Sequence, residues 1–137
     1  MDKLTNIEIG TFLKLFNRGG YVLDFTTNDF DVFTMESIGI ALCNEYHMSK
    51  GKSLAAYVNS ASTSDIEKLL NDLLSYYEEN YEQEYTENLT DDEYSYCQYN
   101  AEYARLYKKC RAYMNRVLNN TTPLAVNATE LQEKFSS

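Results

Sequence analysis

The chain has 137 residues, of which 44% are hydrophobic and 24% charged, and its formal net charge is −9. This length suits a single soluble domain that buries about two-thirds of the surface exposed by the unfolded chain. The negative charge disfavours nonspecific binding to nucleic acid, because the phosphates would be repelled. We therefore expect a protein partner with a basic surface and no nucleic-acid ligand.

The cysteines and the N-terminal residues indicate the cellular compartment of the protein. Three cysteines without close spacing do not make a disulfide framework. The first ten residues contain no apolar signal core, and no apolar run approaches the about 18 residues that a membrane span needs. These features predict a cytoplasmic protein that does not span a membrane.

The first helix has a start signal and a stop signal. Thr5 and Glu8 have the spacing of a capping box, in which each side chain accepts a hydrogen bond from the other residue's backbone amide. Apolar residues at helical spacing then continue to Phe16. Gly19 and Gly20 are predicted to end this helix, since glycine readily adopts the left-handed conformation of a helix C-terminus.

The following region, up to residue 60, predicts short elements. Residues 21–25 fit an extended segment or edge strand, for which residues 124–126 are a weak candidate partner. Thr27 is predicted to cap a short helix, and Gly39 to mark a bend before another helix. Residues 49–53 are predicted to form a turn.

Two longer helices are predicted in the second half. Ser64 and Glu67 form a second capping box, and Thr90 and Glu93 a third. The apolar face of the first long helix comprises Ile66, Leu69, Leu70, Leu73, Leu74, Tyr77 and Tyr81. The second long helix, over 91–118, has a stripe made of Tyr96, Tyr99, Tyr103, Leu106, Cys110, Tyr113 and Val117. This stripe predicts antiparallel pairing with the first long helix, and the alternative is a homodimer seam.

These signals predict a mainly α fold. We expect a single-domain helical bundle in which short helices pack on two longer antiparallel helices, with room for one short β element. The helical domain is predicted over residues 1–122. Residues 123–137 are expected to be a linker or the start of a further element.

An acidic block follows the first long helix, because no Lys or Arg lies between Lys68 and Arg105. Two interpretations stay open: a solvated tip between two helices, or a docking surface for a basic partner. The second interpretation predicts that the partner-binding residues are Glu78, Glu79, Glu82, Glu84, Glu87, Asp91, Asp92, Tyr81 and Tyr85.

Cys43 and His47 are the candidate metal ligands. They are four residues apart on a predicted helix, a spacing that suits two ligands of one zinc ion. The alternative interpretation is that Cys43 is a small buried residue and that His47 lies at an exposed helix end. We expect no cofactor. His47 is the only histidine, and no nucleophile pairs with it, so we do not expect an enzyme.

Three segments carry a resemblance to a known family. They are GGYVLDFTTNDFDVFTMESIGIAL (19–42), SKGKSLAAYV (49–58) and DIEKLLNDLLSYYE (65–78). Together they resemble the N-terminal region of bacterial abortive-infection proteins, over roughly residues 7–77, with a looser similarity through LYKKCRAYMNRV (106–117).

The resemblance implies a role in the conflict between bacteria and phages. In that family a C-terminal domain of the HEPN type follows and acts on RNA through an Arg that is shortly followed by a His. Here the nearest Arg before His47 is Arg18, so no such activity is implied. We expect a non-catalytic protein-binding or regulatory module. The alternative is a standalone phage- or prophage-encoded anti-defence inhibitor of the anti-CRISPR type, which blocks a host nuclease through an acidic, tyrosine-rich surface.

Overall fold

The structure, a computed structural model, describes residues 3–85 and 94–121, and of the last helix only the side chains from 101 to 119. Its elements confirm the predicted mainly α architecture with one short β element. In chain order they are α1 (Asn6–Phe16), β1 (Asn17–Arg18), β2 (Tyr21–Val22), α2 (Thr27–Ile38), α3 (Leu42–Tyr46), α4 (Lys50–Ser60), α5 (Thr63–Asn80), α6 (Glu82–Tyr85) and α7 (Tyr94–Thr121).

The capping box at the start of α1 is confirmed. The Thr5 hydroxyl accepts a hydrogen bond from the Glu8 amide at 3.1 Å, and the Glu8 carboxylate accepts one from the Thr5 amide at 3.0 Å. The prediction that Gly19 and Gly20 end this helix is wrong. The helix stops at Phe16, and the two glycines form the turn of a hairpin with φ of +67° and +94°. Positive φ at both central residues is what the commonest two-residue hairpin turn requires.

The predicted edge strand therefore has a local partner. β1 and β2 pair antiparallel, with Asn17 opposite Val22 and Arg18 opposite Tyr21. The predicted alternative partner, residues 124–126, lies outside the described residues.

Helix starts in the middle of the chain differ from the prediction by one or two residues. Thr26, not Thr27, caps α2, and Ser62, not Ser64, caps α5. The predicted turn over 49–53 is wrong, because the Ser49 hydroxyl caps α4 and the helix begins at the next residue. The predicted bend at Gly39 is confirmed, and the residue ends α2 in the left-handed conformation. The third predicted capping box, at Thr90, lies outside the described residues.

One contiguous core joins the hairpin with every helix except α6. The predicted apolar face of α5 is confirmed, with all its members buried except the half-buried Tyr81. Among the described side chains of α7 the buried residues are Cys110, Met114 and Val117, so Met114 takes the place predicted for Tyr113. The predicted stripe members Tyr96 and Tyr99 lie outside the described side chains. α7 packs mainly against α1 and α6, and less against α5 than predicted. Within the described ranges, no helix has the length and apolarity to cross a membrane.

Candidate binding groove between α2 and α5

A groove of about 400 Å³ separates α2 from α5. Residues spaced three or four apart on a helix share one face, so each helix offers one face to this groove. The lining consists of Phe33, Glu36 and Ser37 from α2, and of Asp72, Ser75, Tyr76 and Glu79 from α5.

Aromatic rings form one wall of the groove. The Tyr76 ring stacks on Phe25 with ring centroids 4.4 Å apart, and meets Phe33 edge-on at 5.8 Å. The Tyr76 hydroxyl donates a 2.7 Å hydrogen bond to Asp24. Burial, together with this carboxylate, raises the pKa of Tyr76 to about 12. The phenol therefore stays protonated at neutral pH, and the ring is held in place at both ends.

Three carboxylates surround this aromatic wall. Oδ2 of Asp72 accepts hydrogen bonds from the Ser37 hydroxyl at 2.6 Å and from the Lys68 ammonium at 2.8 Å. Oδ1 of Asp72 accepts none from the residues that the structure describes. Glu36 and Glu79 are exposed, and neither forms an ion pair with any residue that the structure describes. The groove is therefore negatively charged.

Two exposed apolar side chains lie on α2 outside the set of residues that line the groove. Val32 and Met35 are each 51% exposed, although both are large hydrophobic residues on a well-formed helix. Single exposed apolar residues are common on protein surfaces. By helical spacing, Val32 lies one turn before Glu36, and Met35 directly precedes Glu36 in sequence. Aromatic residues and Met are enriched at protein–protein interfaces, whereas Asp and Glu are depleted there and suit the polar rim.

The predicted acidic block is divided between internal and external roles. Glu79 lines the groove and Glu82 is exposed on α6. Glu78 and Glu84 instead form ion pairs inside the chain, with Arg111 and Arg18 respectively. The remaining predicted acids, Glu87, Asp91 and Asp92, lie outside the described residues.

The two predicted binding tyrosines belong to an aromatic cluster. The rings of Tyr81 and Tyr85 lie 5.2 Å and 5.8 Å from the ring of the buried Tyr77, and Tyr107 completes the cluster from α7. Both predicted tyrosines are half-buried. This cluster joins α5, α6 and α7, so its first role is packing.

Cys43 and His47 do not share a helix face. Helix α3 ends at Tyr46, and His47 follows it with φ of +57°, exposed to solvent. Cys43 is buried, and burial followed by the charge of Asp31 raises the pKa of its thiol. The side chains that the structure describes, in residues 3–85 and 101–119, contain no group of three potential metal ligands. Zinc binding by this pair therefore stays a prediction.

Sequence reasoning found only Glu79 among the residues of the groove. The missed signal is the repeat of polar residues on α5, where Asp72, Ser75 and Glu79 recur at helical spacing on one face. Chemically, the groove offers carboxylates beside an aromatic surface, an environment that favours cationic side chains. No protein-family model, curated protein or solved structure matches the chain, so the groove itself is the basis for inferring function.

Proposed function

We propose that the chain is a non-catalytic protein-binding module that acts in the conflict between bacteria and phages, and that its α2–α5 groove receives a basic segment of the partner. The groove carries this proposal. It brings three carboxylates to an aromatic wall, and its helix α2 also exposes Val32 and Met35. Such a surface attracts a basic partner electrostatically and offers apolar area for contact.

The setting is supported by the resemblance. The groove is formed by residues of two segments, 19–42 and 65–78, that resemble the N-terminal region of abortive-infection proteins, and Glu79 follows directly. In this proposal the chain regulates or senses through binding, as an N-terminal module of such a protein.

The net charge favours a second candidate function. With a net charge of −9 and exposed acids such as Glu36, Glu79 and Glu82, the chain has the charge to occupy a basic cleft of a nuclease. In this alternative it is an anti-defence inhibitor of the anti-CRISPR type. The purified chain would then reduce DNA cleavage by a CRISPR nuclease, and undiminished cleavage would count against this candidate.

The proposed function is tested by comparing protein capture by matched variants. The tagged chain and the double variant Glu36→Gln/Glu79→Gln are incubated with a bacterial lysate, and captured proteins are quantified by mass spectrometry. The control is Glu45→Gln/Asp65→Asn, which removes the same charge from exposed positions outside the groove.

We expect at least one specifically captured protein to be lost with the groove variant and retained with the control. The reason is that neutral amides keep the shape of the groove but remove its attraction for cations. Equal capture by both variants would overturn the groove as the binding surface.

A further inference from the structure

We infer that the occupant of the α2–α5 groove is an arginine side chain supplied by the partner protein. This inference rests on the proposed function and specifies its partner. Three observations support it: the contacts that bind Arg18 and Arg111 inside the chain, the ion pairs that all four arginines already form, and the groups that the groove presents.

The first internal example is Arg18. Its two terminal nitrogens donate hydrogen bonds of 3.1 Å to the two carboxylate oxygens of Glu84. The guanidinium carbon lies 3.8 Å from the centre of the Tyr103 ring. The planar cation is thus bound by a carboxylate at its edge and by an aromatic ring at its face.

The second internal example is Arg111. Its Nε and Nη2 donate to the two carboxylate oxygens of Glu78 at 2.9 Å and 3.0 Å. The Tyr107 hydroxyl donates to the same carboxylate. In both examples a half-buried arginine meets a carboxylate that also bonds a tyrosine hydroxyl, since Tyr77 donates to Glu84 at 2.9 Å.

The groove presents the same kinds of group without a guanidinium. Oδ2 of Asp72 is already bound by Ser37 and Lys68, but its Oδ1 accepts no hydrogen bond from the described residues. Tyr76 and Phe33 provide ring surface. The chain has only four arginines, and all lie within the described residues. Each forms an ion pair elsewhere: Arg18 with Glu84, Arg105 with Glu102, Arg111 with Glu78, and Arg116 with Glu8. The arginine must therefore come from another molecule.

Arginine fits these groups better than lysine does. Its planar guanidinium can stack on a ring while an edge nitrogen donates to Oδ1 of Asp72, whereas the lysine ammonium is a compact and strongly hydrated charge. Binding removes water from the cation, which costs less free energy for the weakly hydrated guanidinium than for the ammonium.

The inference is tested by titrating the ¹⁵N-labelled chain of 137 residues with three blocked tripeptides and recording its amide signals. The central residue is arginine, lysine or citrulline, and citrulline has nearly the shape of arginine without its charge. We expect saturable shifts at Ser37, Asp72 and Tyr76 with the arginine peptide, at least about threefold weaker affinity for the lysine peptide, and no saturable shift with citrulline.

Two variants connect these shifts to the groove. Asp72→Asn keeps the size of the side chain and is expected to weaken arginine binding by about tenfold, since it removes a charge-assisted hydrogen bond. Glu79→Gln changes only an exposed carboxylate, so it folds as the parent does and is expected to weaken binding by about twofold. Glu45→Gln, outside the groove, serves as the control and is expected to bind as the parent does.

The outcomes separate this inference from the proposed function. Equal affinity for the arginine and lysine peptides, or no saturable shift in the groove, overturns the inference even when lysate capture depends on Glu36 and Glu79. Equal capture by Glu36→Gln/Glu79→Gln and by its control overturns the proposed function even when the arginine peptide binds. Shifts that persist unchanged in both Asp72→Asn and Glu79→Gln also overturn the inference.

Discussion

The guanidinium of Arg18 is bound by the Glu84 carboxylate and the Tyr103 ring, and its side chain is only 17% exposed. Arg18→Lys keeps the positive charge but loses the paired hydrogen bonds and the stacking. We expect this variant to lower the free energy of unfolding by about 1–3 kcal/mol, as measured by urea denaturation.

The matched control is Arg105→Lys. Arg105 and Glu102 also form an ion pair, but their side chains are 62% and 58% exposed. Water screens such pairs, so the control is expected to change the free energy of unfolding by no more than about 0.5 kcal/mol. Similar losses in the two variants would contradict the conclusion that burial gives the Arg18 pair its importance.

Glu8 gives the chain a pH-dependent contribution to stability. Hydrogen bonds from Arg116, opposed in part by burial, lower the pKa of Glu8 from its ordinary value of 4.5 to about 2. Because the folded pKa lies below the unfolded one, the ionised pair stabilises the fold above pH 4.5. That contribution is lost as the pH falls toward 2.

Glu8→Gln tests this assignment, since Gln at this position still completes a capping box. We expect the difference in unfolding free energy between the parent and the variant to be constant above about pH 5 and to shrink as the pH falls from there toward 3. Urea denaturation at a series of pH values measures this difference. A gap that stays the same over the whole range would show that the charge of Glu8 is not what stabilises the fold.

At the scale of the elements, two glycines respond oppositely to the same substitution. Gly39 ends α2 with φ of +77°, whereas Gly10 lies inside α1, and an added Cβ would meet no heavy atom within 4 Å at either position. Gly39→Ala is expected to destabilise the fold by about 1 kcal/mol through backbone strain. Gly10→Ala is expected to stabilise it by about 0.5–1 kcal/mol. The midpoint temperature of thermal unfolding should therefore fall for Gly39→Ala and rise for Gly10→Ala. Shifts in the same direction would contradict the assigned conformations.

Elements with local signals were predictable from the sequence, and elements held by distant residues were not. The Thr5–Glu8 capping box and the apolar face of α5 depend on neighbours in the chain, and both are confirmed. Helix α3 has no cap of its own. The Asp31 carboxylate of α2 instead accepts hydrogen bonds from the amides of Cys43 and Asn44 at 2.7 Å and 3.1 Å. Nothing in the spacing of these residues indicates that contact.

The candidate site was predictable only in part for the same reason. Acidic residues are visible in the sequence, but their partners are not. Glu84 lies 66 positions from Arg18, and Glu78 lies 33 positions from Arg111. Those pairings leave Glu78 and Glu84 half-buried, while a groove between two separate helices brings Glu36, Asp72 and Glu79 together.

At the scale of the whole molecule, ion pairs tie the C-terminal half of α7 to other helices. Arg111 binds Glu78 of α5, and Arg116 binds Glu8 of α1 at 2.7 Å and 2.8 Å. The buried side of α7 meanwhile joins the common core through Cys110, Met114 and Val117. Shared packing and shared ion pairs predict that α7 does not separate from the other helices before they unfold.

The two described cysteines test this cooperativity. Cys43 in α3 and Cys110 in α7 are 7% and 0% exposed, and burial raises the pKa of both thiols, that of Cys110 to about 12. Since the thiolate is the reactive form, neither reacts until the fold opens. In a Cys97→Ser background, iodoacetamide labelling is followed by peptide mass spectrometry and normalised to rates in urea. We expect the opening free energies at the two sites to agree within about 1 kcal/mol. Labelling of Cys110 that is more than about tenfold faster than that of Cys43 would show that α7 detaches first.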